Sequence, residues 1–79
     1  MNEKQALEWI TGLFGEKPGV IRPDTRRDDV PNWDSMGVIT LMADLDERFG
    51  ILLEDKDLQD MKRVSDILDV LKLNGKMIS

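Results

Sequence analysis

The residue best placed for covalent chemistry is Ser35, which lies between Asp34 and Met36 where a helical pattern begins. Aspartate is among the strongest N-cap residues, so Asp34 is predicted to accept hydrogen bonds from the first-turn N–H groups and leave the Ser35 hydroxyl free. Negative charge at a helix start is favoured by roughly 0.3–1 kcal/mol, so this position would tolerate a phosphate. These residues alone leave open the alternative that Ser35 simply caps a helix.

The residue types missing from the chain limit what Ser35 can do by itself. The sequence contains neither histidine nor cysteine, the side chains that most often serve as base or nucleophile near neutral pH. A hydrolase built on Ser35 is therefore disfavoured, because no histidine is present to activate the hydroxyl. We expect a protein that is not an enzyme and has neither a disulfide nor a thiolate zinc site.

The charge balance indicates which partners the chain prefers. Sixteen acidic and 11 basic residues among 79 give a formal net charge of -5. This balance disfavours nucleic acid, whose phosphates bind lysine and arginine, and favours partner proteins with basic surfaces. No apolar run approaches the roughly 20 residues of a membrane span, and residues 1–20 lack a signal-peptide layout. A cytoplasmic monomer is expected.

A calcium-binding loop is one possible use of the acidic residues between 55 and 66. That loop needs glycine where Asp60 stands and glutamate where Asp66 stands. The other two candidate ligands, Asp55 and Asp57, do not make up for these mismatches. We expect no dedicated metal site.

Hydrophobic periodicity predicts an all-α fold, a small four-helix bundle with three main helices and one short one. Asn2 and Gln5 have capping-box spacing ahead of the first helix, and Gly50 can end the second. The predicted helices cover residues 3–14, 35–49, 55–61 and 64–73. A loop at 15–34 and a loose tail at 76–79 complete a single domain spanning 1–79.

The long loop is predicted to lie on the surface, because three prolines prevent a helix from running through it. Its arginines alternate with aspartates, which is typical of solvated ion pairs worth about 0–1 kcal/mol each. We assign no function to this charged run, which comprises Arg22, Asp24, Arg26, Arg27, Asp28 and Asp29.

The second helix is predicted to have one buried and one open face. Turning successive residues by about 100° groups five apolar side chains on the buried face: Val38, Leu41, Met42, Leu45 and Phe49. The open face continues from Ser35 and could dock a partner. With its flanks, this docking strip comprises Met36, Thr40, Ala43, Asp44, Asp46 and Glu47.

Three short motifs mark the ends of the predicted helices. They are Trp33-Asp34-Ser35-Met36-Gly37, Asp46-Glu47-Arg48-Phe49-Gly50-Ile51 and Val64-Ser65-Asp66-Ile67-Leu68. Together with a small acidic four-helix chain and a long loop containing Ile21-Arg22-Pro23-Asp24-Thr25, they resemble the acyl and peptidyl carrier proteins over roughly residues 3–71.

The resemblance implies that Ser35 receives a 4′-phosphopantetheine arm from coenzyme A through a separate, magnesium-dependent phosphopantetheinyl transferase. The thiol of the arm would present acyl or aminoacyl thioesters to loading and transfer enzymes with basic docking patches. By similarity, Asp34 helps the transferase to recognise the site. Gly37, which costs about 1 kcal/mol in a helix relative to alanine, is interpreted as leaving room for the arm or an enzyme.

Several departures from the fatty-acid carriers suggest a specialised role. Met36 replaces the leucine usual after the serine, while Thr40 and Ala43 replace an acidic and a larger apolar residue. Arg27 stands where the family usually has leucine. The chain therefore looks more like D-alanyl carriers or carriers of specialised pathways, and an unmodified helical interaction module is the alternative.

Overall fold

Four α-helices make up the regular structure of the chain in a computed structural model that describes residues 1–77. They are α1 (Glu3–Leu13), α2 (Ser35–Phe49), α3 (Asp55–Gln59) and α4 (Val64–Leu73), with a 3₁₀ helix at Arg27–Asp29 between α1 and α2. Within residues 1–77 there is no β-strand, only an isolated antiparallel bridge between Arg26 and Arg63. The predicted all-α, four-helix fold is confirmed.

Local hydrogen bonds explain where the first two helices begin and end. Asn2 Oδ1 accepts from the Gln5 N–H at 2.8 Å, and Gln5 Oε1 accepts from the Asn2 N–H at 2.9 Å, which is a reciprocal capping box. At the far end of α2, Gly50 has a φ of 66°. Glycine adopts this left-handed conformation without steric cost, so the helix stops there.

Three predicted boundaries need correction. The first helix ends at Leu13, with Phe14 as its C-cap, one residue earlier than predicted. The third ends at Gln59 and not at 61, because the Met61 N–H bonds to Leu58 O in a tighter turn and the Met61 side chain enters the core. The predicted 15–34 loop is interrupted by the 3₁₀ helix.

The predicted loose tail also differs from the structure at Lys76 and Met77. The Lys76 N–H donates to Leu71 O at 2.8 Å, and Lys76 O accepts from the terminal ammonium of Met1 at 2.9 Å. The Met77 side chain packs against the core. These contacts tie both ends of the described chain together, while residues 78 and 79 of the predicted tail lie outside the described residues.

The core is apolar and receives side chains from all four helices and the long loop. In the described part of the chain no polar or charged residue is buried. The predicted buried face of α2 lies against it, with Val38, Leu41 and Leu45 buried and the remaining two members, Met42 and Phe49, partly buried. The loop adds Ile21, Val30 and Trp33 to the same core.

Backbone hydrogen bonds fix the long loop against the start of α4. Thr25 O accepts from the Val64 N–H at 2.9 Å, and the Arg27 N–H donates to Lys62 O at 2.8 Å. The loop therefore runs beside residues 62–65 before it reaches Asp34. None of the helices described here has the length and apolarity to cross a membrane.

Candidate functional site at the start of α2

Ser35 is the first residue of α2 and is exposed to solvent. Asp34 Oδ1 accepts from the Gly37 N–H at 2.9 Å, and Asp34 O accepts from the Val38 N–H at 2.9 Å. The predicted capping role of Asp34 is confirmed. Because Asp34 makes the cap, the Ser35 hydroxyl stands at the helix start without having to stabilise it.

Gly37 is needed by the chain's own packing. A Cβ added at Gly37 would lie 2.0 Å from Asn32 O and 3.4 Å from the Phe14 ring. Asn32 is itself held by a 2.8 Å hydrogen bond from its Nδ2 to Phe14 O. The glycine thus lets the loop approach the first turn of α2 closely, and a contact between Gly37 and the arm or an enzyme stays a prediction.

Most of the predicted docking strip is open to solvent. Met36 is 70% exposed, and Thr40, Ala43, Asp46 and Glu47 are exposed along α2. Since Ser35 begins the same helix, a protein bound to this strip would lie close to the serine. The docking role of these residues stays a prediction.

Asp44 does not lie on the open face where the helical pattern placed it. Its side chain is only 28% exposed and pairs with Arg48 Nε at 3.5 Å. Its carboxylate also accepts a hydrogen bond from the indole N–H of Trp9 on α1. A buried indole N–H needs an acceptor, so Asp44 joins α2 to α1 and is a poorer docking residue than predicted.

An apolar groove, which sequence reasoning missed, lies between α2 and the segment that follows it. Ile39 is 48% exposed and Leu52 79% exposed, and both line this groove. The groove between the two elements has a volume of about 300 Å³. The lining residues are Ile39, Met42, Ala43, Asp46, Ile51, Leu52 and Leu53.

A second and larger groove, of about 1090 Å³, opens directly beside Ser35. We call it the basic groove because four of its lining residues are cationic: Arg26, Arg27, Lys62 and Arg63. Asp28, Asp34 and Asp60 are its acidic lining residues. Sequence analysis assigned no function to Arg26 and Arg27, because the residues that complete the groove, such as Lys62 and Arg63, are far away in the chain.

Among the charged loop residues that were predicted to form solvated ion pairs, Arg27 differs most from the prediction. Its side chain donates from Nε to Trp33 O at 3.0 Å, from Nη1 to Gln59 O at 2.9 Å and from Nη2 to Gln59 Oε1 at 3.2 Å. Arg27 therefore joins the residue before Asp34 to the last residue of α3. Its neighbour Arg26 does behave as predicted, with an exposed pair to Asp29 at 3.8 Å.

The acidic residues between 55 and 66 form no metal centre in the structure. Among residues 1–77, no three acidic side chains come close enough together to hold a metal ion. Asp66 instead accepts hydrogen bonds from the Lys62 and Arg63 N–H groups, at 2.8 Å and 3.1 Å. This aspartate fixes the turn that enters α4.

Several known proteins have sequences similar to that of this chain. No family model matches the chain. The chain is similar to curated acyl carrier proteins from Syntrophobacter fumaroxidans (31% identical, covering 86% of this chain and 84% of the relative) and Thermosynechococcus vestitus (27% identical, 90% and 93%). A third, from Thermobifida fusca, is 24% identical, with coverage of 90% and 95%. All three similarities extend over nearly the whole of both chains.

Proposed function

The chain belongs to the acyl carrier protein family, and we propose that it bears a 4′-phosphopantetheine arm on Ser35 and presents acyl or aminoacyl groups to partner enzymes. The observation that supports this most directly is the exposed Ser35 at the first position of α2, directly after the capping Asp34. The family consists of carriers and not of enzymes. A chain without histidine or cysteine fits that role.

The residues at the start of α2 fit a phosphate linked to Ser35. The first-turn N–H groups of Ser35 and Met36 have no carbonyl of their own helix to bond, and the helix start favours negative charge. The exposed serine also leaves room for an extended substituent. When bound, the arm supplies a thiol that holds acyl groups as thioesters.

The chain's own part in attachment is to offer the Ser35 hydroxyl as a nucleophile. Ser35 Oγ attacks the phosphorus of coenzyme A nearest the pantetheine, so that an Oγ–P bond forms and the pyrophosphate P–O bond breaks. Adenosine 3′,5′-bisphosphate leaves. The hydroxyl proton passes to a base of the magnesium-dependent transferase, because this chain has no histidine to accept it.

Partner enzymes are proposed to approach along the open face of α2 with basic patches. Asp46 and Glu47 supply exposed negative charge there, while Met36, Thr40 and Ala43 supply apolar and small contacts. Because these three residues depart from the pattern of fatty-acid carriers, we place the chain in a specialised or D-alanyl-type pathway. We also propose that it acts in the cytoplasm as a monomer.

Mass spectrometry of the intact chain tests the attachment directly. Incubation with coenzyme A and a broad-specificity phosphopantetheinyl transferase should add one phosphopantetheinyl group. The gain should vanish in Ser35→Ala and persist in the control Ser65→Ala, which removes a serine from α4. A parent chain that gains no mass would contradict the proposal.

An unmodified interaction module is the second candidate function. It is favoured by the apolar groove, since exposed Ile39 and Leu52 could bind a partner without any arm. Purifying the chain from its native host separates the two functions. An unmodified Ser35 in the purified protein supports the module, and a phosphopantetheinylated one excludes it.

A further inference from the structure

The basic groove differs in charge from the rest of the molecule. It is lined by four of the chain's 11 basic residues and by three acidic ones, so its lining carries a net charge of +1 (4 − 3), whereas the whole chain carries -5. Ser35 and Asp34 form part of the same lining. Any negatively charged group attached to Ser35 would therefore begin at the edge of this groove.

Backbone contacts hold the cations of the groove together at an electrostatic cost. Arg26 and Arg63 face each other in the antiparallel bridge, and the Arg27 N–H donates to Lys62 O. Like charges directly opposite each other destabilise a β pair. Asp66 accepts hydrogen bonds from the Lys62 and Arg63 N–H groups and so fixes the turn that carries these two cations. The exposed pair of Arg26 with Asp29 at 3.8 Å offsets little of the repulsion, and an anion in the groove would offset more.

Two side chains that line the groove are incompletely balanced within residues 1–77: Arg27 has acceptors but no anionic partner, and the Trp33 indole N–H has no acceptor. The guanidinium of Arg27 is partly buried, and its recorded bonds go to the neutral oxygens of Trp33 and Gln59. Trp33 lines the groove, is only 2% exposed, and has an indole N–H without a partner among residues 1–77. Because the bonds of Arg27 leave its positive charge without a counter-ion, this partly buried guanidinium favours a negatively charged ligand in the groove.

From these contacts we infer that the basic groove holds the phosphodiester and adjoining first segment of the arm on Ser35, an inference that rests on the proposed function. The covalent link keeps this phosphate at high effective concentration, which a separate acidic protein segment would lack. Arg26 and Lys62, two exposed cations in the lining of the groove, attract the phosphodiester. The arm then leaves Ser35 toward the α3–α4 turn and away from the apolar groove beside Ile39 and Leu53.

The two tryptophans of the chain allow this placement to be measured by NMR. Trp33 lines the basic groove, whereas the Trp9 indole is bonded to Asp44 at the contact between α1 and α2. Loading the arm should move the Trp33 indole resonance and those of Arg26 and Lys62, and leave the Trp9 indole in place. In about 1 M salt, where charges are screened over about 3 Å, the shifts at Arg26 and Lys62 should shrink.

Variants that remove charge from the groove test whether the loading shift of Trp33 comes from binding of the arm in the groove or only from the closeness of Trp33 to Ser35. The double variant Arg26→Gln/Lys62→Gln should lose most of the Trp33 shift on loading, and its ³¹P resonance should narrow as the phosphodiester becomes mobile. The control Lys17→Gln/Lys72→Gln changes two exposed lysines outside the groove by the same total charge and should behave like the parent. Arg27 and Arg63 are left unchanged because their side chains bond to backbone carbonyls.

The outcomes distinguish failure of this inference from failure of the proposed function. A chain that gains no mass in the loading reaction overturns both. A loaded chain whose groove variant keeps the parent's Trp33 shift and ³¹P line width overturns the inference alone. Loading shifts that appear at Ile39 and Leu53 in place of the basic groove would overturn it as well.

Discussion

Single residues around Ser35 show that the site is shaped as much by packing within the chain as by its chemistry. Asp34 caps α2 and so leaves Ser35 exposed, while Gly37 admits the Asn32 carbonyl against the first turn. A side chain at Gly37 would have to push this backbone away, together with the loop residues that precede Asp34. The glycine therefore helps to set the position of Ser35 without needing to touch a ligand.

We predict that Gly37→Ala destabilises the protein although alanine is the better helix former. Overpacking costs about 1–3 kcal/mol, and the upper part of that range applies because the added Cβ would lie 2.0 Å from a backbone oxygen. Alanine gains up to about 1 kcal/mol of helix propensity, so a net loss of about 1–2 kcal/mol is expected. Gly12 provides the control, because it lies in α1 with no atom within 4 Å of an added Cβ. Urea denaturation should show Gly12→Ala at least as stable as the parent, and equal stabilities of the two variants would contradict the prediction.

Among the elements, the short helix α3 is held at its C-terminal end by a side chain from the long loop. It has only five residues, and its C-terminal residue, Gln59, accepts two hydrogen bonds from Arg27. A cation at a helix C-terminus satisfies carbonyls that the helix itself leaves free. Since Arg27 also bonds Trp33 O, it couples α3 to the segment that leads into Ser35.

We predict that Arg27→Leu loosens α3 while the fold is retained. Hydrogen bonds to a charged group are worth about 1.5–3 kcal/mol, so amide exchange at Asp60 and Met61 should become about ten- to a hundredfold faster. Arg26→Leu is the control, because Arg26 lies next to it and makes only an exposed ion pair at 3.8 Å. Hydrogen exchange followed by NMR measures both variants, and similar rates in the two would argue against the coupling.

Elements with local signals are the ones that the sequence predicts well. Asp34 and Gly50 lie at the two ends of α2, and the helix has the bounds Ser35–Phe49 that they indicate. The basic groove depends instead on partners far away in the sequence, such as Arg27 and Gln59, which are 32 positions apart. The helical pattern of α2 wrongly places Asp44 on the open face, because its partner Trp9 lies on another helix and cannot be identified from the pattern of α2 alone.

At the scale of the whole molecule, the charges are separated around Ser35. Cations gather in the basic groove on one side of the serine, and Asp46 and Glu47 lie along α2 on the open face. Among residues 1–77 no polar or charged residue is buried, so the charged side chains are accessible to partners at the surface. This separation suggests that the groove serves the arm, while the face of α2 serves the enzymes that approach it.

The last prediction concerns this division of charge. Glu47→Lys should weaken recognition by the phosphopantetheinyl transferase, because it places a cation where a basic patch is proposed to dock. An exposed pair is worth about 0.2–1 kcal/mol and reversal adds repulsion of similar size, so kcat/KM for transfer should fall by about two- to thirtyfold at low salt. The loss should shrink as salt rises, because exposed charges are screened over about 8 Å at physiological ionic strength.

The control for this prediction is Asp69→Lys, which makes the same change of net charge at an exposed position of α4. If docking uses the open face of α2, only Glu47→Lys should slow transfer in a salt-dependent way. Equal losses in both variants would show that the transferase responds to net charge and not to this face. Asp44 is unsuitable for the comparison, because reversing it would also remove the acceptor of the Trp9 indole and disturb the contact between α1 and α2.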